Sequence, residues 1–164
     1  MNAPGGLHTG TALERLLHGR WVASGLIETP GGRVRTHFDL VSQAVPTPDG
    51  VRVDEHYRFA DARTLERTWV FQTGKPGHWQ ARADDVVGTA AATQEGAVSH
   101  LRYVLVFPWR GRGMRLRAHD RLHPLPDGAL LLRSTLRKWG VRVAELTAVY
   151  RTDPDAGLTP GGQR

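Results

Sequence analysis

Apolar and polar residues alternate with a period of two along most of the chain. In "RVRTHFDL" the apolar positions Val34, Phe38 and Leu40 share one face, and "VRVDEHYRF", "LERTWVF", "HLRYVLVF" and "GMRLRAHDRL" repeat the pattern. A period of two is typical of strands that bury one face. With the segments 21–27, 78–83, 88–94, 129–136 and 141–150, the pattern predicts about ten strands.

The connections between these segments are short and carry turn residues, as in "TPGG", "PTPDG", "TGKPG", "RGRG" and "PLPDG". Strands joined in this way form an antiparallel meander. Closing ten strands into a barrel removes exposed edges and leaves an interior that can hold a small ligand. The sequence therefore predicts an all-β fold of one domain, a ten-stranded antiparallel barrel over residues 11–151. Residues 1–10 and 152–164 are rich in Gly, Pro and Thr and are predicted to be flexible tails.

Only "TGTALERLLHGR" has helical spacing, with Leu13, Leu16 and Leu17 on one side, threonines as caps and Gly19 as a stop. We expect one short helix over residues 11–18, covering an end of the barrel.

Several charged residues fall on the inward face of the predicted strands. Glu55 is in phase with Val53 and Tyr57, Arg67 with Trp69, and Asp120 with Leu116 and Leu122. Asp85, Arg133 and Glu145 are assigned inward by the same criterion, whereas Asp84 is assigned to solvent. A charge in an apolar interior must be paired, hydrated or neutralised, so we expect Asp85 to meet Arg67 or Arg133.

The inward charges have two interpretations. They could form a structural ion-pair network that fixes strand register, or the polar end of a ligand cavity. Under the second, the predicted ligand-binding residues are Glu55, Arg67, Trp69, Asp85, Tyr103, Asp120, Arg133 and Glu145.

Composition limits the functional classes. The 164 residues include no cysteine, which excludes disulfides and thiol chemistry, and no run is apolar enough to cross a membrane. "MNAPGGLHTG" does not resemble a secretory signal, so a cytoplasmic location is expected. The formal net charge is +6, but the arginines are scattered, and "RGRGMRLR" is better interpreted as a hairpin turn than as a nucleic-acid site.

Known chemical motifs are absent from the sequence. The strand histidines fall on the outward, arginine-bearing face, and neither an H-E-x-x-H spacing, a G-x-S-x-G elbow nor a phosphate-binding glycine loop occurs. We expect no metal and no cofactor.

Five stretches together resemble a family of uncharacterised bacterial proteins, many of them lipoproteins, that is placed among the lipocalin-like (calycin) barrels. They are "GRVRTHFDL", "VDEHYRFAD", "ERTWVF", "ADDVVGTA" and "KWGVRVAELT", within a match from about Leu16 to Arg151. The resemblance implies a lipocalin-like barrel and marks the positions Glu55, Arg67, Asp85, Arg133, Lys138 and Glu145. This chain lacks the lipid-bearing cysteine.

Three hypotheses follow. The preferred one is a barrel that binds a small, largely apolar molecule, such as a fatty acid or related lipid, with Arg67 or Arg133 holding an acidic head. The second is an isomerase or hydratase in which Glu55, Asp85 or Asp120 is the general base. The third is a fully packed barrel with a structural or partner-binding role. The sequence leaves the ligand and the oligomeric state open.

Overall fold

The computed structural model describes residues 10–157, which form one short helix followed by ten strands. The elements are α1 (Ala12–Leu16), β1 (Arg20–Glu28), β2 (Val34–Thr47), β3 (Gly50–Phe59), β4 (Thr64–Thr73), β5 (His78–Arg82), β6 (Ala90–Glu95), β7 (Val98–Trp109), β8 (Arg112–Pro124), β9 (Leu130–Lys138) and β10 (Val141–Thr152). A 3-10 turn, Pro154–Gly157, follows the last strand.

The ten strands form a closed antiparallel barrel. Each strand pairs with its neighbours in sequence, and β1 closes the barrel by pairing with β10, from Trp21 opposite Thr152 to Glu28 opposite Glu145. The predicted all-β meander with one short helix is confirmed. The predicted tails lie largely outside the described residues, and the domain boundaries stay predictions.

Helix α1 covers one end of the barrel. Thr11 caps it, since the Thr11 hydroxyl accepts a hydrogen bond from the Glu14 amide while the Glu14 carboxylate accepts one from the Thr11 amide. The amide of Leu13 donates to the hydroxyl of Ser99 on β7 over 3.0 Å, which ties the helix to the barrel wall. Gly19, at a φ of 75°, turns the chain into β1.

The inward side chains form two apolar clusters. One lies mainly on β3 to β7 and the other on β1, β2 and β8 to β10. The first contains Leu13, Leu17, Ala44, Val53, Trp69, Phe71, Ala81, Val86, Ala90 and Ala92. The second contains Ala12, Trp21, Ala23, Phe38, Leu40, Leu122, Leu130, Ala148 and Tyr150. Helix α1 contributes to both clusters and therefore closes the interior at its end.

Strands β5 and β6 are too short to follow their neighbours along the whole barrel. They have five and six residues, against ten in β4 and twelve in β7. The loop between them fills the gap by pairing with β7: the Val87 amide donates to the Val104 carbonyl over 2.9 Å, and the Val106 amide to the Asp85 carbonyl over 2.7 Å. These two hydrogen bonds fix the backbone at Asp85, at the end of the barrel opposite α1.

Within residues 10–157, no helix has the length and apolar character needed to cross a membrane. The cytoplasmic location stays a prediction.

Gly25 tests the packing of the second cluster. A Cβ atom there would lie 2.5 Å from the Thr147 carbonyl oxygen and 2.6 Å from Cζ of Phe38. Gly25→Ala should lower the free energy of unfolding by about 1–3 kcal/mol, the usual cost of overpacking. The control is Gly31→Ala, in the turn between β1 and β2, where a Cβ meets nothing within 4 Å. Equal denaturant midpoints for both variants would contradict this packing.

Candidate functional site

Six polar side chains gather inside the barrel and are called here the interior polar cluster. They come from β3, β4, β7, β8 and the loop between β5 and β6, and they are Glu55, Tyr57, Arg67, Asp85, Tyr103 and Asp120. Tyr57 packs against the second apolar cluster and Tyr103 against the first. The polar groups therefore connect the two halves of the core.

Arg67 and Asp85 form the ion pair of the cluster. The Arg67 Nε and Nη2 atoms both donate to Asp85 Oδ2, over 2.9 Å and 2.5 Å. The side chains are 14% and 29% exposed, so the pair is only partly shielded from solvent. The predicted Arg67–Asp85 contact is confirmed, and Asp84 is exposed as expected.

Glu55 lies opposite Arg67 in the pairing of β3 with β4, and its side chain is buried. The Tyr57 hydroxyl donates to its Oε2 atom over 3.1 Å. Burial raises the pKa of Glu55, and the charge of Arg67 and the Tyr57 hydroxyl only partly oppose this effect. Glu55 therefore takes up a proton more readily than a carboxylate in water.

Asp120 approaches the cluster from β8. The Tyr103 hydroxyl donates to its Oδ2 atom over 3.1 Å. Burial raises the pKa of Asp120, while the hydroxyls of Ser134 and Tyr103 and the charge of Arg67 oppose the rise. Burial also raises the pKa values of Tyr57 and Tyr103 well above their ordinary range, so both phenols stay protonated donors.

Two carboxylate oxygens of the cluster are buried and have no hydrogen-bond partner among residues 10–157. They are Oδ1 of Asp85 and Oδ1 of Asp120, although the Ser134 hydroxyl lies close enough to Asp120 to lower its pKa. Buried polar atoms without a partner are uncommon, because leaving one unpaired costs about 1–3 kcal/mol. The cluster thus holds three carboxyl groups and one guanidinium, and two of its carboxylate oxygens lack a hydrogen-bond donor.

A cavity of about 70 Å³ borders the cluster. Glu55, Arg67 and Asp120 contribute its charged lining, and the leucines of α1 contribute to its apolar lining together with Val53, Trp69, Phe71, Leu101, Leu122, Leu132 and Tyr150. This volume accommodates a few water molecules and is well below that of a typical ligand pocket. A larger guest needs the leucines of α1 or the opposite end of the barrel to give way.

The two aromatic residues predicted for the site, Trp69 and Tyr103, both lie in the barrel interior. Trp69 is buried, and its ring meets that of Tyr103 edge to face, with centroids 5.3 Å apart. The Arg67 guanidinium lies 5.6 Å from the centre of the Trp69 ring, which adds a cation–π contact.

Arg133 was predicted to face the interior, and this prediction is wrong. In β9, Ser134 lies opposite Asp120 and Leu132 opposite Leu122, so these two residues face inward and Arg133 between them is exposed. The residues on both sides of Arg133 are apolar or small, so the sequence pattern does not reveal the phase of this strand.

Glu145 was also wrongly assigned to the interior. The inward residues of β10 are Leu146, Ala148 and Tyr150, and the Glu145 carboxylate accepts a hydrogen bond from Arg142 over 3.0 Å on the outer face. A bulge between Arg142 and Ala144 shifts the register at the start of the strand. Lys138, marked by the family resemblance, donates to the Arg115 carbonyl, away from the cluster.

Tyr150 and Ser134 belong to the site surroundings and were not predicted. Tyr150 is buried and lines the cavity, and Ser134 is buried beside Asp120. The alternation of Leu146, Ala148 and Tyr150 is the signal that would have identified Tyr150, but the opposite face of β10 is equally apolar.

Among residues 10–157, no histidine belongs to the interior polar cluster, although His100 borders the cavity. His100 Nδ1 lies 2.9 Å from His119 Nε2, with the rings stacked, and both residues sit at outward positions of β7 and β8. Among the described residues, no group of three or more histidine, aspartate or glutamate side chains is arranged to hold a metal ion. That the protein needs no metal or cofactor stays a prediction.

The sequence matches a known protein family. A sequence profile described as "Protein of unknown function (DUF3833)" matches residues 8–152. The chain belongs to the DUF3833 family. No protein with curated annotation matches the sequence.

Three solved structures that match this DUF3833 protein differ in how closely their folds agree with it. The S-type phycobiliprotein lyase CpeS from Guillardia theta has a TM-score of 0.59 at 9% identity, covering 87% of this chain and 91% of the lyase. A protein described as AttH from Nitrosomonas europaea has a TM-score of 0.28 at 12% identity over 80% and 48% of the two chains. The RzxB dehydratase domain from Pseudomonas fluorescens has 0.27 at 12% identity over 82% and 77%. Only the first score supports a shared fold.

Arg67→Met tests the ion pair. Removing the guanidinium leaves Asp85 and Glu55 without their counter-charge, so the free energy of unfolding should fall by about 3 kcal/mol, the lower end for breaking a buried pair. Arg67→Met/Asp85→Asn should recover part of the loss. As a control, Arg63→Met breaks the pair with Asp61, whose side chains are 72% and 53% exposed, and should cost less than about 1 kcal/mol. A wild-type melt for Arg67→Met would contradict the arrangement.

The buried carboxyl groups predict a pH dependence. Because the pKa values of Glu55 and Asp120 are raised on folding, their contribution to stability is complete below the ordinary values of 4.5 and 3.8 and is lost as the pH rises through the raised values. Glu55→Gln/Asp120→Asn should therefore lose less stability than wild type as the pH is raised. Hydrogen bonds lower the pKa values of Asp61, Asp127 and Asp153, which therefore change stability with pH in the opposite direction, and they do so equally in both proteins. Parallel pH profiles would show that neither carboxyl group gains proton affinity on folding.

Proposed function

We propose that this DUF3833 protein binds a small, largely apolar molecule inside the barrel, with the polar end of the molecule at the interior polar cluster. The observation that carries the proposal is the pair of buried, donor-free carboxylate oxygens, with the one on Asp120 belonging to a residue that lines the cavity. A phycobiliprotein lyase has the same fold, so this barrel architecture is compatible with a function beyond a structural one.

The polar end of the ligand is better matched by a hydrogen-bond donor than by an acid. Arg67 already holds Asp85, and Arg133 lies on the outer face, so the interior offers no free guanidinium to a carboxylate. Three carboxyl groups around one cation would also repel a fourth negative charge. A hydroxyl or amine would instead supply the donor that Asp120 Oδ1 lacks. A fatty acid is therefore a weaker candidate than an alcohol or amine of similar length.

Helix α1 and the opposite end of the barrel give two ways of enlarging the cavity. Leu13, Leu16 and Leu17 fill the space beside the cluster, and the helix has only five residues. At the other end, Phe107 is in phase with Leu105 and Tyr103 and is 42% exposed, so its side chain lies at the boundary between the interior and solvent. A guest can extend from the cluster toward either end without breaking strand pairing.

Catalysis by a general base is the second candidate, favoured by the raised pKa values of Glu55 and Asp120, since a base is most effective when its pKa lies near the working pH. Incubating the protein with the molecule extracted from it distinguishes the two. An isomerase or hydratase converts that molecule to an isomer or changes its mass by one water, whereas a binding protein returns it unchanged.

The binding test has two parts. Native mass spectrometry of freshly purified protein, with solvent extraction, should detect a co-purified small molecule. Titration with decanol, decylamine and decanoic acid, followed by quenching of tryptophan fluorescence, should show tighter binding of the alcohol and the amine than of the acid.

Asp120→Asn should weaken decylamine binding about tenfold, because it removes a charge-assisted hydrogen bond of about 1.5 kcal/mol. Asp54→Asn is the matched control, since Asp54 lies on the outer face of β3, where Arg52 and Thr68 donate to it. A protein that carries no small molecule and binds none of the three probes is a packed barrel, and the proposal would then be wrong.

A further inference from the structure

The end of the barrel opposite α1 exposes large apolar side chains on two hairpin tips. They are called here the apolar rim, and they lie on the β7–β8 and β9–β10 hairpins. The exposed fractions are 42% for Phe107, 52% for Trp109, 92% for Trp139, 66% for Val141 and 38% for Val143. Exposed apolar residues grouped in this way mark interaction sites more often than ordinary surface.

The conformation of the turns shows that this exposure is not required by the fold. Trp139 and Gly140 have φ angles of 49° and 79°, and Arg110 and Gly111 have 48° and 76°, as in two-residue turns with both central residues left-handed. Such turns favour Asn or Asp before the glycine, and a bulky residue there is uncommon. Trp139 takes this unfavourable position although its ring is almost wholly exposed and contributes little to packing.

The two hairpins that carry the rim are strongly basic. Residues 105–117 contain Arg110, Arg112, Arg115 and Arg117, and residues 136–144 contain Arg137, Lys138 and Arg142, with no acidic residue in either segment. Among the described residues only Arg142 of this set forms an ion pair, with Glu145. Arg110 and Lys138 lie over the rings of Trp109 and Trp139 at 5.7 Å and 4.9 Å.

We propose that the apolar rim docks on the surface of an anionic lipid bilayer. Indole rings favour the boundary between headgroups and acyl chains, and flanking basic residues are attracted to anionic headgroups. The two tips provide both groups at one end of a rigid barrel. The proposal stands apart from ligand binding in the interior, since no rim residue belongs to the interior polar cluster.

The experiment is sedimentation of the full chain with vesicles. The protein should bind vesicles of phosphatidylcholine and phosphatidylglycerol in equal parts, bind phosphatidylcholine vesicles much more weakly, and be released by high salt. Trp139→Asn should weaken binding roughly tenfold through loss of apolar contact. Because Asn suits a left-handed turn, this variant should melt at or above the wild-type temperature, so lost binding cannot be ascribed to misfolding.

Charge is tested by a matched pair of triple variants. Arg110→Gln/Arg112→Gln/Lys138→Gln should weaken binding to the anionic vesicles by roughly a hundredfold, which corresponds to about 1 kcal/mol for each charge. Arg52→Gln/Lys75→Gln/Arg151→Gln removes the same charge from the α1 end and should change binding by less than about threefold.

The proposal would be overturned by no binding to anionic vesicles, by equal binding to both vesicle types, by equal losses in the two triple variants, or by a change in oligomeric state for Trp139→Asn. The last result would assign the rim to a second copy of the chain. Tighter binding of single-stranded RNA than of vesicles, lost in the rim variants, would likewise assign it to nucleic acid.

Discussion

The charge of Arg67 is the constraint on which the interior depends. A guanidinium keeps its proton in any protein environment, so an arginine inside a barrel must be met by carboxylates. Asp85 supplies the direct contact, and Glu55 supplies a second negative charge from the paired strand. The tyrosines then stabilise carboxylate oxygens that Arg67 does not reach. Removing Arg67 would leave this whole arrangement with uncompensated negative charge.

The position of Asp85 follows from strand length. Because β5 and β6 end early, the loop between them must cover the gap between β4 and β7, and its two backbone hydrogen bonds to β7 hold Asp85 over the interior. The small residues of "GTAAA" allow this arrangement, since Ala90 and Ala92 are buried against Trp69 and its neighbours. Backbone geometry, rather than the alternation of a strand, therefore brings the carboxylate to Arg67.

Strand alternation predicted the fold and the inward residues wherever the two faces differ in polarity. Glu55, Arg67 and Asp120 lie in strands with one polar and one apolar face, so a charge on the apolar face is conspicuous. Arg133 and Glu145 lie in β9 and β10, whose two faces are both apolar, and a bulge shifts the register of β10. Periodicity cannot determine the phase of such strands. The donor-free oxygens and the small cavity depend on side-chain packing across the barrel, which no single strand encodes.

The two ends of the barrel differ in how well side chains cover the interior. Leucines of α1 close one end, whereas the rim residue Phe107 is partly exposed at the other, and the Arg67–Asp85 pair keeps part of its exposure. An amphiphile that reached the interior from a bilayer would pass the apolar rim before its polar end met Asp85 and Asp120. The cavity beside the cluster lies toward α1, so a tail that stayed toward the rim would need Phe107 and its neighbours to move apart. An apolar rim followed by a polar cluster suits a molecule with a hydrogen-bond donor at one end and an apolar chain at the other. The unpaired carboxylate oxygens favour the same class of ligand.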